Sequence, residues 1–99
     1  MRAPLLDPDL LEAFVAVAEH RSFTRAAAVL NQTQSAISMQ VKRLEDRLQT
    51  LLFHRTRAQV DLSPAGEALL GSARRILVLN REAVGRVQEH KIEAWSGSA

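Results

Sequence analysis

The sequence contains no cysteine, so neither a disulfide framework nor a thiolate metal site can hold this chain of 99 residues together. It also lacks any run approaching the roughly 18 consecutive apolar residues of a membrane-spanning helix, and its first residues have no apolar core of signal-peptide length. With 46% hydrophobic residues, the chain suits one small domain whose core comes from helix packing. We therefore expect a cytoplasmic protein with no membrane partner.

The charges are unevenly distributed, although the formal net charge is only +2. Acidic side chains outnumber basic ones in residues 1–19, and the two kinds balance in residues 58–99. The middle segment, residues 20–57, has only Glu45 and Asp46 as acidic residues. Its basic residues are Arg21, Arg25, Lys42, Arg43, Arg47, Arg55 and Arg57. A polyanionic partner is therefore expected to contact the middle segment.

Three short helices are predicted in the first half of the chain. Asp7, followed by a proline suited to the first helical position, predicts a helix over residues 8–20. Ser22 is predicted to cap a second helix over residues 23–30, and Thr33 a third over residues 34–48. The short polar connection at residues 31–33 gives the last two helices the helix-turn-helix format.

The predicted third helix has two different faces. Ser35, Met39 and Lys42 share one face, which is free to contact a partner. The other face is an apolar stripe expected to pack in the core. The stripe is formed by Ile37, Val41, Leu44 and Leu48.

The start of this third helix has side chains that can read base pairs. Its free amides and positive dipole end can hold a phosphate. The Gln34 amide can donate and accept at once, which matches adenine in the major groove, whereas the hydroxyls of Ser35 and Ser38 discriminate less. Met39 could contact a thymine methyl group. For a single Gln or Ser on an exposed helix face, ordinary solvation is the better explanation, so the grouping carries the prediction.

Basic residues lie close to this reading face in the sequence. Lys42 and Arg43, further along the third helix, are expected to anchor phosphates. An apolar run at residues 51–53, a basic stretch and an alternating segment at residues 60–62 predict two strands joined by a loop, or wing. In that wing Arg55 and Arg57 could reach the backbone or the minor groove, where negative potential favours arginine. A solvated loop is the alternative reading.

Ser63 and Pro64 predict the start of a long fourth helix that runs to about residue 92. Apolar residues at heptad spacing indicate pairing with a second helix, although packing on its own domain is the alternative. Asn80 could fix the register of two chains or face solvent. The candidate dimerisation residues are Leu69, Leu70, Ala73, Ile76, Leu77, Asn80, Ala83, Val84 and Val87.

The sequence offers no constellation for catalysis or metal binding. Its 3 histidines fall on different predicted elements without the HExxH spacing, and its 4 glycines form no phosphate-binding loop. We therefore expect no enzyme, no metal and no cofactor. The competing function is a helical protein-interaction module, in which the fourth helix is the active surface and the basic stretch is merely solvated.

One ordered set of motifs runs through residues 8–90. It comprises Leu11, Phe14 and Val17 in the first helix, Ser22-Phe23-Thr24 with Ala26-Ala27, Thr33 to Ser38, Gln40 to Glu45, Leu52-Phe53 with Arg55, and Leu62-Ser63 with Ala65-Gly66. In this order the motifs resemble the N-terminal domain of LysR-type transcriptional regulators. The resemblance implies a mainly α fold, a winged helix-turn-helix of three helices and a two-stranded wing followed by a long dimerisation helix.

The resemblance also implies a function and its partners. We expect sequence-specific binding of double-stranded DNA at an interrupted palindrome in promoter regions, as a homodimer that can assemble into a tetramer in the full-length protein. Residues 1–63 would bind DNA, residues 64–93 would form the linker helix and residues 94–99 a flexible tail. The family's effector-binding domain falls outside this chain, so no small-molecule ligand is expected on it. The family's DNA-contacting positions correspond to Thr24, Thr33, Gln34, Ser35, Ser38, Met39 and Arg55.

Three positions depart from the family's pattern. Gln49 stands where a glycine usually follows the recognition helix, which predicts an unfavourable backbone conformation at Gln49 or Thr50. Met39 stands where many relatives have arginine, which removes a guanine-reading option. The second wing arginine would fall at Ala58, and Arg57 precedes it by one place.

Overall fold

The computed structural model describes residues 3–97, with side chains through residue 91. Its elements follow the order α1 (Pro8–His20), α2 (Phe23–Val29), α3 (Gln34–Leu48), β1 (Phe53–Arg55), β2 (Val60–Leu62) and α4 (Pro64–Gly97). Three short helices and a two-stranded wing followed by a long helix confirm the predicted fold class.

Side-chain caps fix where the three short helices begin. The Asp9 amide donates to Asp7 Oδ1 at 2.8 Å at the start of α1. Ser22 Oγ accepts from the Arg25 amide at the start of α2, and Thr33 Oγ1 accepts from the Ala36 amide at the start of α3, both at 3.1 Å. All three predicted caps are confirmed, because each satisfies an amide that has no partner within its helix.

Left-handed residues mark the connections after the short helices. Arg21 and Asn31 have φ of 51° and 54°, and Gln49, directly after α3, has φ of 57°. The prediction of an unfavourable conformation at Gln49 is therefore confirmed. Its side chain partly compensates, since Gln49 Nε2 donates to the Asp46 carbonyl oxygen at 2.7 Å.

The core lies where α1 packs against the other three helices. Leu11, Phe14 and Val17 of α1 are fully buried there. The predicted stripe of α3 meets them with fully buried Ile37 and Val41. This packing fixes the rotation of α3 about its axis, and so decides which of its residues face outward.

The wing is a two-stranded antiparallel sheet in which Phe53 pairs with Leu62 and Arg55 pairs with Val60. A turn joins the strands, closed by the Thr56 amide donating to the Gln59 carbonyl oxygen at 2.9 Å. The prediction that the apolar run at residues 51–53 forms the first strand is wrong by two residues. The Leu52 amide donates instead to Glu45 Oε2 at 2.8 Å, and Arg55 therefore lies in β1 rather than in the loop.

The long helix α4 contains 34 residues and extends past the predicted end near residue 92. Residues 94–97 are helical, so their prediction as a flexible tail is wrong, and residues 98–99 lie outside the described residues. Ala73 and Leu77 are buried in the core of the domain, which removes them from the candidate dimerisation residues. Within residues 3–97, no helix combines the length and apolar character needed to cross a membrane.

Candidate nucleic-acid interface

The outward face of α3 is polar and accessible along its first half. Gln34 and Ser35 are exposed, Ser38 is half-buried, and Met39 is 54% exposed. Burial of Ile37 directly behind them orients all four side chains away from the core. The predicted division of α3 into a packing face and a free face is therefore confirmed.

A hydrogen bond ties the start of α2 to the start of α3. Thr24 Oγ1 donates to Gln34 Oε1 at 3.3 Å. Because a carbonyl oxygen has two lone pairs, Gln34 can still accept a second hydrogen bond while its amide nitrogen donates. Thr33, which the family resemblance includes among the DNA contacts, uses its hydroxyl oxygen as an acceptor in the helix cap. Its hydroxyl proton remains available to donate.

Met39 and Arg43 lie side by side one helical turn apart. Arg43 Nη2 is 3.5 Å from Met39 Sδ, so the guanidinium extends along the thioether. An open concave surface lies between α3 and β1, bordered by Ser38, Met39 and Lys42 on one side and Arg55 on the other. The structure thus brings Arg55, distant in sequence, next to the residues of α3.

Arg55 is held by an aromatic ring. The centre of its guanidinium lies 4.2 Å from the centroid of the Phe23 ring. Phe23 is the first residue of α2 and is buried, and its ring meets the edge of Phe53 at a centroid distance of 5.9 Å. Sequence reasoning missed the contact of Phe23 with Arg55, because nothing in local spacing relates a helix start to a strand residue 32 positions later.

The wing turn forms one wall of a second depression. Ser22, Thr24 and Gln34 line the helical side, and Arg57 and Ala58 line the turn. Thr24, Gln34 and Arg57, three predicted contact residues from three different elements, therefore border one surface. That surface is continuous with the start of α3, where phosphate binding is favoured by free amides.

The positive charges of this surface are available to a partner. Within residues 3–91, the ion pairs are Arg21 with Asp61 at 3.6 Å and Arg74 with Glu19 at 3.3 Å. Neither involves Lys42, Arg43 or the wing arginines, all of which are exposed. Within the part of the chain that the structure describes, no cluster of histidine and carboxylate side chains could hold a metal ion.

The chain matches known proteins in both sequence and structure. A family model described as "Bacterial regulatory helix-turn-helix protein, lysR family" matches residues 8–67. The HTH-type transcriptional regulator DgdR of Burkholderia cepacia is 51% identical over 79 residues, which cover 80% of this chain and 27% of that protein. The chain spans about a quarter of the length of such curated relatives. These relatives are transcriptional regulators, which confirms the prediction that the chain is not an enzyme.

Two solved structures of similar fold contain DNA. The CbnR DNA-binding domain in complex with DNA has a TM-score of 0.80 and 34% identity, covering 86% of this chain and 98% of that chain. The BenM DNA-binding domain with catB site 1 DNA has a TM-score of 0.81 and 31% identity, covering 85% of this chain and 94% of that chain.

Proposed function

Because the chain belongs to the lysR family of bacterial regulatory helix-turn-helix proteins, we propose that it regulates transcription by binding double-stranded DNA sequence-specifically as a homodimer. One observation carries this proposal: α3 buries its apolar stripe and presents an accessible polar face flanked by unpaired positive charges. The DNA complexes of the similarly folded CbnR and BenM domains support it. Such a regulator acts in the cytoplasm, where bacterial DNA lies.

In this proposal the first half of α3 reads bases from the major groove. That groove, about 12 Å wide, admits a helix. Gln34 makes a paired donor and acceptor contact, Ser35 and Ser38 add single hydrogen bonds, and Met39 contacts a thymine methyl group. Thr33, beside the helix start, donates its hydroxyl proton to the DNA backbone. Specificity therefore depends mainly on uncharged side chains.

Positive charges around α3 provide most of the affinity in the same proposal. Lys42 and Arg43 neutralise phosphates along the major groove. Thr24 and Arg57 border one depression, in which a phosphate of the adjoining backbone is bound. Arg55 and Arg57 approach the backbone or the minor groove from the wing. Arg57 takes the role of the second wing arginine, whose position is occupied by the uncharged Ala58.

Exposed apolar residues of α4 support the homodimer. Ile76 is 40% exposed, Val84 is 50% exposed and Val87 is 69% exposed, and the main contacts of α4 are with α1 and β2. A helix of 34 residues is about 51 Å long and gains most of its stability from packing on an apolar face. A second copy of α4 would supply that packing. The proposed contact residues are Leu69, Leu70, Ile76, Asn80, Ala83, Val84 and Val87.

The dimer determines the kind of site that is bound. Two copies related by a twofold axis present two α3 helices, so the expected target is an interrupted palindrome in a promoter region. Its half-sites should lie about one or more helical turns apart. In the full-length protein, dimers can assemble further into tetramers.

Selection of bound duplexes from random-sequence DNA tests the proposal. We expect the recovered sequences to share an inverted repeat, and the recovered duplex to bind at least about 1000-fold more tightly than a scrambled duplex at physiological salt. Affinity should fall steeply as salt concentration rises, because phosphate contacts release counterions. Equal binding of recovered and scrambled duplexes by a chain that sediments as a dimer would instead support a protein-interaction module.

A further inference from the structure

Arg55 is attached to the core through aromatic rings. Its guanidinium lies 4.2 Å from the centroid of the Phe23 ring. Phe23 meets Phe53 at a centroid distance of 5.9 Å, and Phe53 meets the fully buried Phe14 at 5.5 Å. A continuous series of aromatic contacts, one tilted and one edge-on, thus leads from the centre of the domain to one cation on its surface.

The contact with the Phe23 ring leaves the N–H donors of Arg55 accessible. A guanidinium that lies over a ring uses its face, while its N–H donors point outward in the plane of the group. The side chain of Arg55 is exposed and borders the concave surface shared with Ser38 and Lys42. An arginine otherwise loses considerable rotamer freedom when it is immobilised at an interface. The ring reduces that loss by restricting the side chain before binding.

We propose that Phe23 is a positioning residue for DNA binding, whose ring holds Arg55 between α3 and the wing turn in the orientation in which it contacts DNA. The inference rests on the proposed function. Phe23 itself does not touch DNA, because it is buried beneath the guanidinium. Since the same first turn of α2 carries Thr24, which bonds to Gln34, the start of α2 orients one residue that reads bases and one cation of the wing.

A double-mutant cycle on DNA affinity tests this role. The affinity of the 99-residue chain for the duplex recovered by selection is measured for wild type, Phe23→Leu, Arg55→Ala and the double variant. We expect Phe23→Leu to weaken binding by about two- to five-fold in the wild-type background, which corresponds to an exposed cation–π contact. In the Arg55→Ala background the same substitution should have no effect.

Two measurements separate positioning from a merely structural effect. Arg55→Ala should lower the salt dependence of binding by about one phosphate contact, whereas Phe23→Leu should leave it unchanged because the charge remains. Phe23→Tyr is the matched control, since it changes the same side chain but keeps an aromatic ring beneath Arg55. Its effect on affinity should be equal in the two Arg55 backgrounds.

Proton NMR of the unbound chain tests the geometry independently of binding. The Arg55 side-chain protons should be shifted upfield by the Phe23 ring, and the shift should persist in Phe23→Tyr and disappear in Phe23→Leu. Additive losses in the cycle, or an absent shift in the wild type, would overturn the inference while leaving the proposed function intact. A wild-type chain that selects no duplex would overturn both.

Discussion

Gly66 lies in the first turn of α4, directly against Leu52 and Leu62, and replacing it by alanine should destabilise the domain. A Cβ atom at this position would overlap the Leu52 carbonyl oxygen and lie 2.8 Å from Leu62 Cδ2. The Leu52 oxygen cannot move away freely, because it accepts from the Ser63 amide at 2.9 Å. The Gly66 amide is itself held by Ser63 Oγ at 3.0 Å, so both sides of the contact are fixed.

The expected magnitude comes from two opposing terms. Alanine gains at most about 1 kcal/mol over glycine at Gly66, because that value applies to a helix interior and Gly66 lies in the first turn of α4. Overpacking typically costs about 1 to 3 kcal/mol, and a contact this close belongs at the upper end. We therefore expect Gly66→Ala to lower the free energy of unfolding by about 2 kcal/mol. Gly71→Ala is the matched control, since nothing lies within 4 Å of its added Cβ, and it should raise stability by up to about 1 kcal/mol.

Urea unfolding followed by circular dichroism measures both variants. All samples must have the same protein concentration, because the stability of a dimer depends on it. The two substitutions should differ by about 3 kcal/mol, the sum of the estimates above. If Gly66→Ala were as stable as Gly71→Ala, the close approach of α4 to Leu52 would be refuted.

Three further outcomes are expected. In fluorescence anisotropy, Gln34→Ala should reduce discrimination at particular base pairs by about 1 to 3 kcal/mol, whereas Lys42→Ala should weaken binding to all duplexes evenly. Equal losses on every duplex for both variants would contradict their separate roles. In sedimentation, Val87→Glu should dissociate the dimer and the adjacent Gln88→Glu should not; a dimeric Val87→Glu variant would exclude the proposed interface. Gln49→Gly should raise the free energy of unfolding by a few tenths of a kcal/mol up to about 1 kcal/mol. Relief of the left-handed backbone strain should exceed the loss of the exposed hydrogen bond from Gln49 to the Asp46 carbonyl oxygen. A less stable variant would show that this side-chain bond dominates.

The features predictable from sequence are those that depend on neighbours in the chain. Asp7, Ser22 and Thr33 cap amides only two or three residues away, so the helix starts follow from local chemistry. The burial of Ile37 and Val41 follows from helical periodicity once a core exists. The exposed face of α3 could therefore be predicted because it is the remainder of that pattern.

The features that escaped prediction depend on distant parts of the chain. Ala73 and Leu77 repeat at a spacing that suits either a partner helix or α1, and only the fold assigns them to the core. The stack of Arg55 on Phe23 joins two elements through the register of a strand that sequence placed two residues too early. The length of α4 was underestimated because residues 94–97 carry weak local signals for continuing a helix.

The connection between wing and long helix consists of Ser63 alone, since β2 ends at Leu62 and α4 begins at Pro64. Ser63 is buried, and its hydroxyl donates to the Leu51 carbonyl oxygen at 2.7 Å. This short, bonded connection therefore holds the wing and α4 in one relative orientation. In the proposed dimer, the distance and the relative orientation of the two α3 helices would therefore be fixed. Adding one base pair between half-sites turns one of them by about 35° around the DNA axis. The duplex must then absorb the mismatch by twisting or bending, and its stiffness becomes part of the selectivity.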